Sequence, residues 1–202
     1  MTPIPDSEIH RIVEQVVNRT LGISPAAPNA AIPSPMQAAP VTSAPHQAEP
    51  LNTVAIGSDH GGFNMKEMLK AYLAELGYTI VDCGTRDSNT SVDYPDFALA
   101  AAMLIKEGNA WRAIVIDGAG IGSCMAANKV PGVRAAMCYD YATAVNSREH
   151  NDANLLTLGA GLIGDNLARQ IVKTWLATEF GGGRHQKRID KIIEIETRFL
   201  KG

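Results

Sequence analysis

The sequence predicts an α/β fold, a three-layer sandwich built on a five-stranded parallel sheet with one further helix at the C-terminus, and three observations carry that expectation. After Pro50, short apolar runs alternate with longer amphipathic stretches in a regular β-α order. The apolar runs read as strands covered on both faces, the mark of a parallel sheet. The chain has 202 residues, 46% of them hydrophobic and 19% charged, which is apolar material for one sizeable core rather than two. This arrangement is Rossmann-like, and in such sheets ligands bind outside the carboxyl ends of the strands.

Strands are expected at Thr53 to Gly57, Thr79 to Cys83, Ala113 to Asp117, Arg134 to Cys138 and Leu155 to Leu158. Helices are expected at Asn64 to Leu76, Pro95 to Glu107, Ile121 to Lys129, Tyr141 to Glu149, Asp165 to Thr178 and Gln186 to Leu200. The isomer of this pattern that a dinucleotide would need is absent. Gly159-Ala160-Gly161-Leu162-Ile163-Gly164 matches G-x-G-x-x-G, but it follows the last strand, whereas the fingerprint belongs to the first βα turn.

Three segments are expected: an amphipathic helix over residues 1–22, a linker over 23–50 and the α/β domain over 51–202. Ile9, Ile12, Val13, Val16, Val17 and Leu21 fall at helical spacing after a capping Asp6 or Ser7, and Gly22 and Pro25 end the run. Pro25, Pro28, Pro33, Pro35, Pro40, Pro45 and Pro50 then alternate with alanines, an extended spacer with little to bury. A four-turn helix is marginal alone in water, so its apolar face calls for a partner surface, either its own domain or another protein.

Composition excludes several classes. A net charge of -3 gives no bulk attraction to nucleic acid or anionic lipid. Cys83, Cys124 and Cys138 are an odd set without CxxC spacing, against a disulfide framework or zinc site. No stretch approaches the roughly 18 apolar residues of a membrane span, and no signal peptide opens the chain, so a cytoplasmic protein is expected.

Chemistry concentrates in a few loops. Gly57-Ser58-Asp59-His60-Gly61-Gly62-Phe63 puts a carboxylate and an imidazole after the first strand, for chemistry or for capping the next helix. Asp117-Gly118-Ala119-Gly120-Ile121-Gly122 sets a carboxylate before alternating glycines whose N–H groups can converge on a phosphate or an enediolate oxygen; a plain capped turn is the alternative. Ser147-Arg148-Glu149-His150-Asn151-Asp152 offers a His for acid–base work, with Asn151 beside it for substrate. Arg184 and Arg188, four apart at the start of the last helix, are placed to grip one phosphate, unless they form a solvated basic face.

Together with Val92-Asp93-Tyr94-Pro95, Ala126-Ala127-Asn128-Lys129 and Gly182-Gly183-Arg184-His185-Gln186, these motifs closely resemble ribose-5-phosphate isomerase type B, from Asn52 to about Leu200. The resemblance implies aldose–ketose isomerisation through an enediolate, without metal or cofactor, in a homodimer or dimer of dimers with sites between subunits. It implies His150 as the ring-opening acid/base, Asp59 near the sugar, Asp93 on a hydroxyl, His60, Arg184 and Arg188 on the phosphate, and N–H groups of Gly118, Gly120 and Gly122 on the enediolate. Where many members have a Cys base this chain has Asp117, and where others have a Glu it has Ser123. Asp117 is ionised at neutral pH and is the expected base, with Cys124 the rival. Ala119 and Gly161 replace a common Thr and Arg, which leaves open another pentose or hexose phosphate, or a non-catalytic sugar-phosphate-binding subunit. The helix and linker resemble in architecture the peptides that carry enzymes into bacterial microcompartments, which implies a shell or core protein as partner.

Overall fold

The structure, a computed structural model, describes residues 52–199, so the expected helix over 1–22 and linker over 23–50 lie outside the described residues. Five strands alternate with helices: β1 (Thr53–Ser58), α1 (Phe63–Glu75), β2 (Thr79–Asp82), α2 (Tyr94–Lys106), β3 (Arg112–Asp117), α3 (Ile121–Ala127), β4 (Ala135–Met137), α4 (Tyr141–Glu149), β5 (Leu155–Gly159) and α5 (Asp165–Ala177). A 3-10 turn at Gly183–His185 then leads into α6 (Gln186–Phe199). The sheet is all parallel, in the order β2-β1-β3-β5-β4.

Strand alternation decides what covers each face. Val54, Ile56, Ile114, Ile116, Leu156 and Leu158 point to one side, where they meet Leu69 and Leu73 of α1 and Ile171 and Trp175 of α5. Ala55, Ala113, Val115 and Leu155 point to the other and meet Ala98, Ala101 and Ala102 of α2. Small residues on both partners let α2 lie close to the sheet. Each fully buried Ile or Leu contributes about 1.5–3 kcal/mol to this sandwich.

Two expectations are corrected. The fourth strand is shorter than Arg134 to Cys138, because Arg134 turns its N–H and guanidinium to Asn154 and Asp152 (2.8 Å each) rather than extending the ladder. Arg184 sits in the 3-10 turn, not on the last helix, because Gly182 (φ 59) and Gly183 (φ 55) are left-handed and break the chain there.

Chain order β1, β2, then β3 on the other side of β1 creates a topological switch point between β1 and β3. The loops after these two strands therefore flank one crevice.

Candidate active site

Asp59 and Asp117 stand on that crevice. Asp59 is buried, and its Oδ1 accepts the Gly62 N–H at 2.9 Å, so it does hold the turn into α1. Gly62 has no alternative residue: any side chain there would overlap the Ile116 carbonyl of β3. His60 is half-buried, and its Nδ1 accepts the Val92 N–H at 3.3 Å, which draws the exposed Asp93 and Tyr94 to the same edge.

Asp117 is 4% exposed and takes four hydrogen bonds. Oδ1 accepts the N–H of Ala119 at 2.8 Å and that of Gly120. Oδ2 accepts the Ser123 N–H at 3.0 Å and the Ser123 Oγ–H at 2.5 Å. The Gly120 N–H, expected on a substrate oxyanion, is directed at Asp117 in this structure. Gly120 is left-handed (φ 78) and presses against the Leu158 backbone, while Gly122 lies under the Tyr94 ring, so both glycines are demanded by close approach. The N–H groups of Gly118 and Gly122 have no protein acceptor among the described residues. Cys124 points elsewhere: its Sγ–H donates to Ala135 O at 3.4 Å, and burial holds its thiol above the ordinary range.

The G-x-G-x-x-G segment supports this loop from behind. Ala160 N–H donates to Asp117 O (2.8 Å) and Gly161 N–H to Gly118 O (3.0 Å), so two amides that a pyrophosphate would require are committed to protein. A side chain at Gly159 would overlap the Ala119 backbone.

His150, Asn151, Arg184 and Arg188 are elsewhere. α4 runs back from the carboxyl ends of the strands, and His150 caps its far end just before β5 begins. The same logic places the turn after α5 at that end, and the Gly181 N–H fastens it there on Glu149 O at 2.9 Å. His185 stacks on His150, with centroids 4.2 Å apart and planes 5° from parallel. It is buried, and desolvation, followed by electrostatic repulsion from His150, Arg184 and Arg188, pushes its pKa below the ordinary imidazole value. Arg184, Arg188 and Asn151 are exposed. One chain thus carries two polar clusters separated by about the length of a strand, on the order of 15 Å. The Ser147–Asn154 and Gly181–Arg188 segments follow helices, not strands, and so lie away from the carboxyl ends.

Sequence reasoning assigned no role to Asn146, Ser123, Tyr139 or His185. Tyr139 O–H donates to Ala119 O at 3.1 Å, and Asn146 meets His150 at 2.8 Å. The four-residue spacing of Asn146 and His150 on one helix was the available signal. Among the described residues no group of three or more His, Cys, Asp or Glu side chains is clustered to hold a metal ion, and no helix is long and apolar enough to cross a membrane.

A doubly covered parallel sheet with carboxylate, imidazole and guanidinium groups at its two ends is an α/β protein equipped for proton transfer on an anionic small molecule. The chain belongs to the Ribose/Galactose Isomerase family, which matches residues 54–192. It is similar to the solved ribose-5-phosphate isomerase B of Clostridium thermocellum, at 52% identity and a TM-score of 0.72, over 73% of this chain and 99% of that one. It is similar to ribose-5-phosphate isomerase B of Mycoplasma genitalium, solved with bound ribulose-5-phosphate, at 40% identity and a TM-score of 0.69, over 72% and 96%. The D-erythrulose-4-phosphate isomerase of Pectobacterium atrosepticum is 39% identical over 140 residues, 69% of this chain and 92% of that protein.

Proposed function

We propose that the chain interconverts D-ribose 5-phosphate and D-ribulose 5-phosphate. The observation that carries this reading is the pair of half-sites, one with Asp59, His60, Asp93 and Asp117 and the other with His150, Asn151, Arg184 and Arg188. A second copy of the chain, in a homodimer or dimer of dimers, brings the two halves together around one substrate. Arg184, Arg188 and His60 hold the phosphate, and Asp59, Asp93 and Asn151 orient the sugar. His150 serves ring opening. Asp117 takes the C2 proton of the open-chain aldose and returns it to C1 as the O2 hydroxyl proton passes to O1, while the enediolate faces the uncommitted amides of Gly118 and Gly122. Ser123 Oγ is the one donor on Asp117 that a side-chain rotation can withdraw, which frees an oxygen to accept the proton. Cys124, drawn to Ala135 and held protonated by burial, is the poorer base.

The relative that acts on D-erythrulose 4-phosphate is about as similar as the ribulose-5-phosphate-bound one, which favours a tetrose phosphate as the second reading. Comparing kcat/KM over pentose, hexose and tetrose phosphates decides between them. Ribose 5-phosphate leading the panel, with Asp117→Asn at least about a hundredfold slower and Cys124→Ser within about threefold of wild type, is the expected result. A tetrose phosphate leading, or the reverse order of the two variants, contradicts it.

For residues 1–22 the reading is a helix that binds a microcompartment shell or core protein, tethered by the 23–50 linker and placing the enzyme in the cytoplasm within that compartment. Its support is the apolar spacing and the proline-rich spacer. Deleting residues 1–50 should leave turnover unchanged and abolish co-sedimentation with shells. Lost turnover would assign the segment to the enzyme instead.

A further inference from the structure

We propose that Asn146 is a positioning residue that locks the neutral His150 ring as its Nε2–H tautomer, so that His150 meets the sugar ring as a hydrogen-bond donor. This rests on the reading of His150 as the ring-opening residue.

Asn146 and His150 are four apart on α4 and share a face. Asn146 Nδ2 lies 2.8 Å from His150 Nδ1. An amide nitrogen only donates, so Nδ1 must accept, and the single proton of a neutral imidazole is then on Nε2. Asn151 decides which end of the amide faces the ring. Its Nδ2 donates to Asn146 O at 3.2 Å and approaches Asn146 Oδ1 at 3.4 Å. Reversing the Asn146 amide would set two NH₂ groups against each other and an oxygen against the lone pair of Nδ1. The other side of the imidazole agrees: Glu149 Oε1, an acceptor, is the carboxylate oxygen 4.0 Å from Nε2. His185, stacked at 4.2 Å, keeps the ring from swinging out of this plane.

As an Nε2–H donor, His150 neither gains nor loses a proton overall in this step. As the C1–O4 bond of the furanose breaks, the C1=O1 double bond forms and the O1 proton passes through water to O4. The Nε2–H bond holds the charge that develops on O4 meanwhile.

The test is ¹⁵N NMR of the full-length protein, with His150 assigned by the signals lost in His150→Gln, together with turnover. Wild type should show Nε2–H. Asn146→Asp offers Nδ1 a carboxylate acceptor and should switch the ring to Nδ1–H, with kcat on D-ribose 5-phosphate lower by about tenfold and KM within about threefold. A wild-type Nδ1–H ring, or Nε2–H unchanged in Asn146→Asp, overturns the lock. A switched tautomer with unchanged kcat leaves the lock in place and overturns the ring-opening role of His150, so the two failures are distinct.

Discussion

Asp117 is a structural anchor, and the proposed mechanism asks the same carboxylate to act as a reagent. Three backbone N–H groups and one hydroxyl converge on it, which organises the turn from β3 into α3 and leaves only the Ser123 hydroxyl as a movable partner. His185 makes a complementary case, a buried imidazole whose pKa is lowered first by burial and then by its neighbours His150, Arg184 and Arg188. Because its pKa is lower folded than unfolded, the unfolded chain binds the proton more readily. Stability is then complete above the ordinary imidazole value near 6.5 and falls as pH drops below it toward the folded value. Urea midpoints at pH 7.5 and 5.5 should fall further in wild type than in His185→Gln; equal losses would count against the burial of a neutral ring. The position of Asp117 at a strand end was readable from the sequence, but its partners were not, because four donors reaching one carboxylate is a property of a folded turn.

At the scale of elements, one side chain pairs with an edge of the sheet. β4 is one of the two edge strands, and Asn128, just past α3, accepts from Ala135 N at 2.9 Å and donates to Ala135 O at 3.0 Å, pairing with that edge as another strand would. It also donates to Cys124 O at 3.0 Å. This is why α3 stops at Ala127 rather than running on to Lys129. Asn128→Ala removes all three bonds and should cost about 1–2 kcal/mol in urea unfolding, the exposed site moderating the loss. No measurable loss would mean that the strand holds its edge without it. The order and type of the elements were legible because buried parallel strands and amphipathic helices differ in period. Tyr141–Glu149 is the predicted helix to the residue, for Asp140 and Thr143 form a reciprocal capping box. Boundaries at β4 and at Arg184 were not legible, since side-chain pairing with distant residues and two left-handed glycines set them.

For the whole molecule, the decisive property is direction. Residues after strands and residues after helices face opposite ends of a parallel sheet, so Asp117 and His150 lie at opposite ends of the sheet in one chain. The motifs were visible in the sequence, and their order along the chain already held this division. Sites between subunits were already expected from the resemblance, and the fold shows which residues fall at which end. The account therefore requires that each working site take Asp117 from one copy and His150 from another. Coexpressing Asp117→Asn and His150→Gln chains, each inactive alone, measures that directly. Random pairing makes half the dimers mixed, each with one intact site, so about a quarter of wild-type turnover of D-ribose 5-phosphate should return. No recovery from a mixture shown to contain mixed dimers would contradict the shared site.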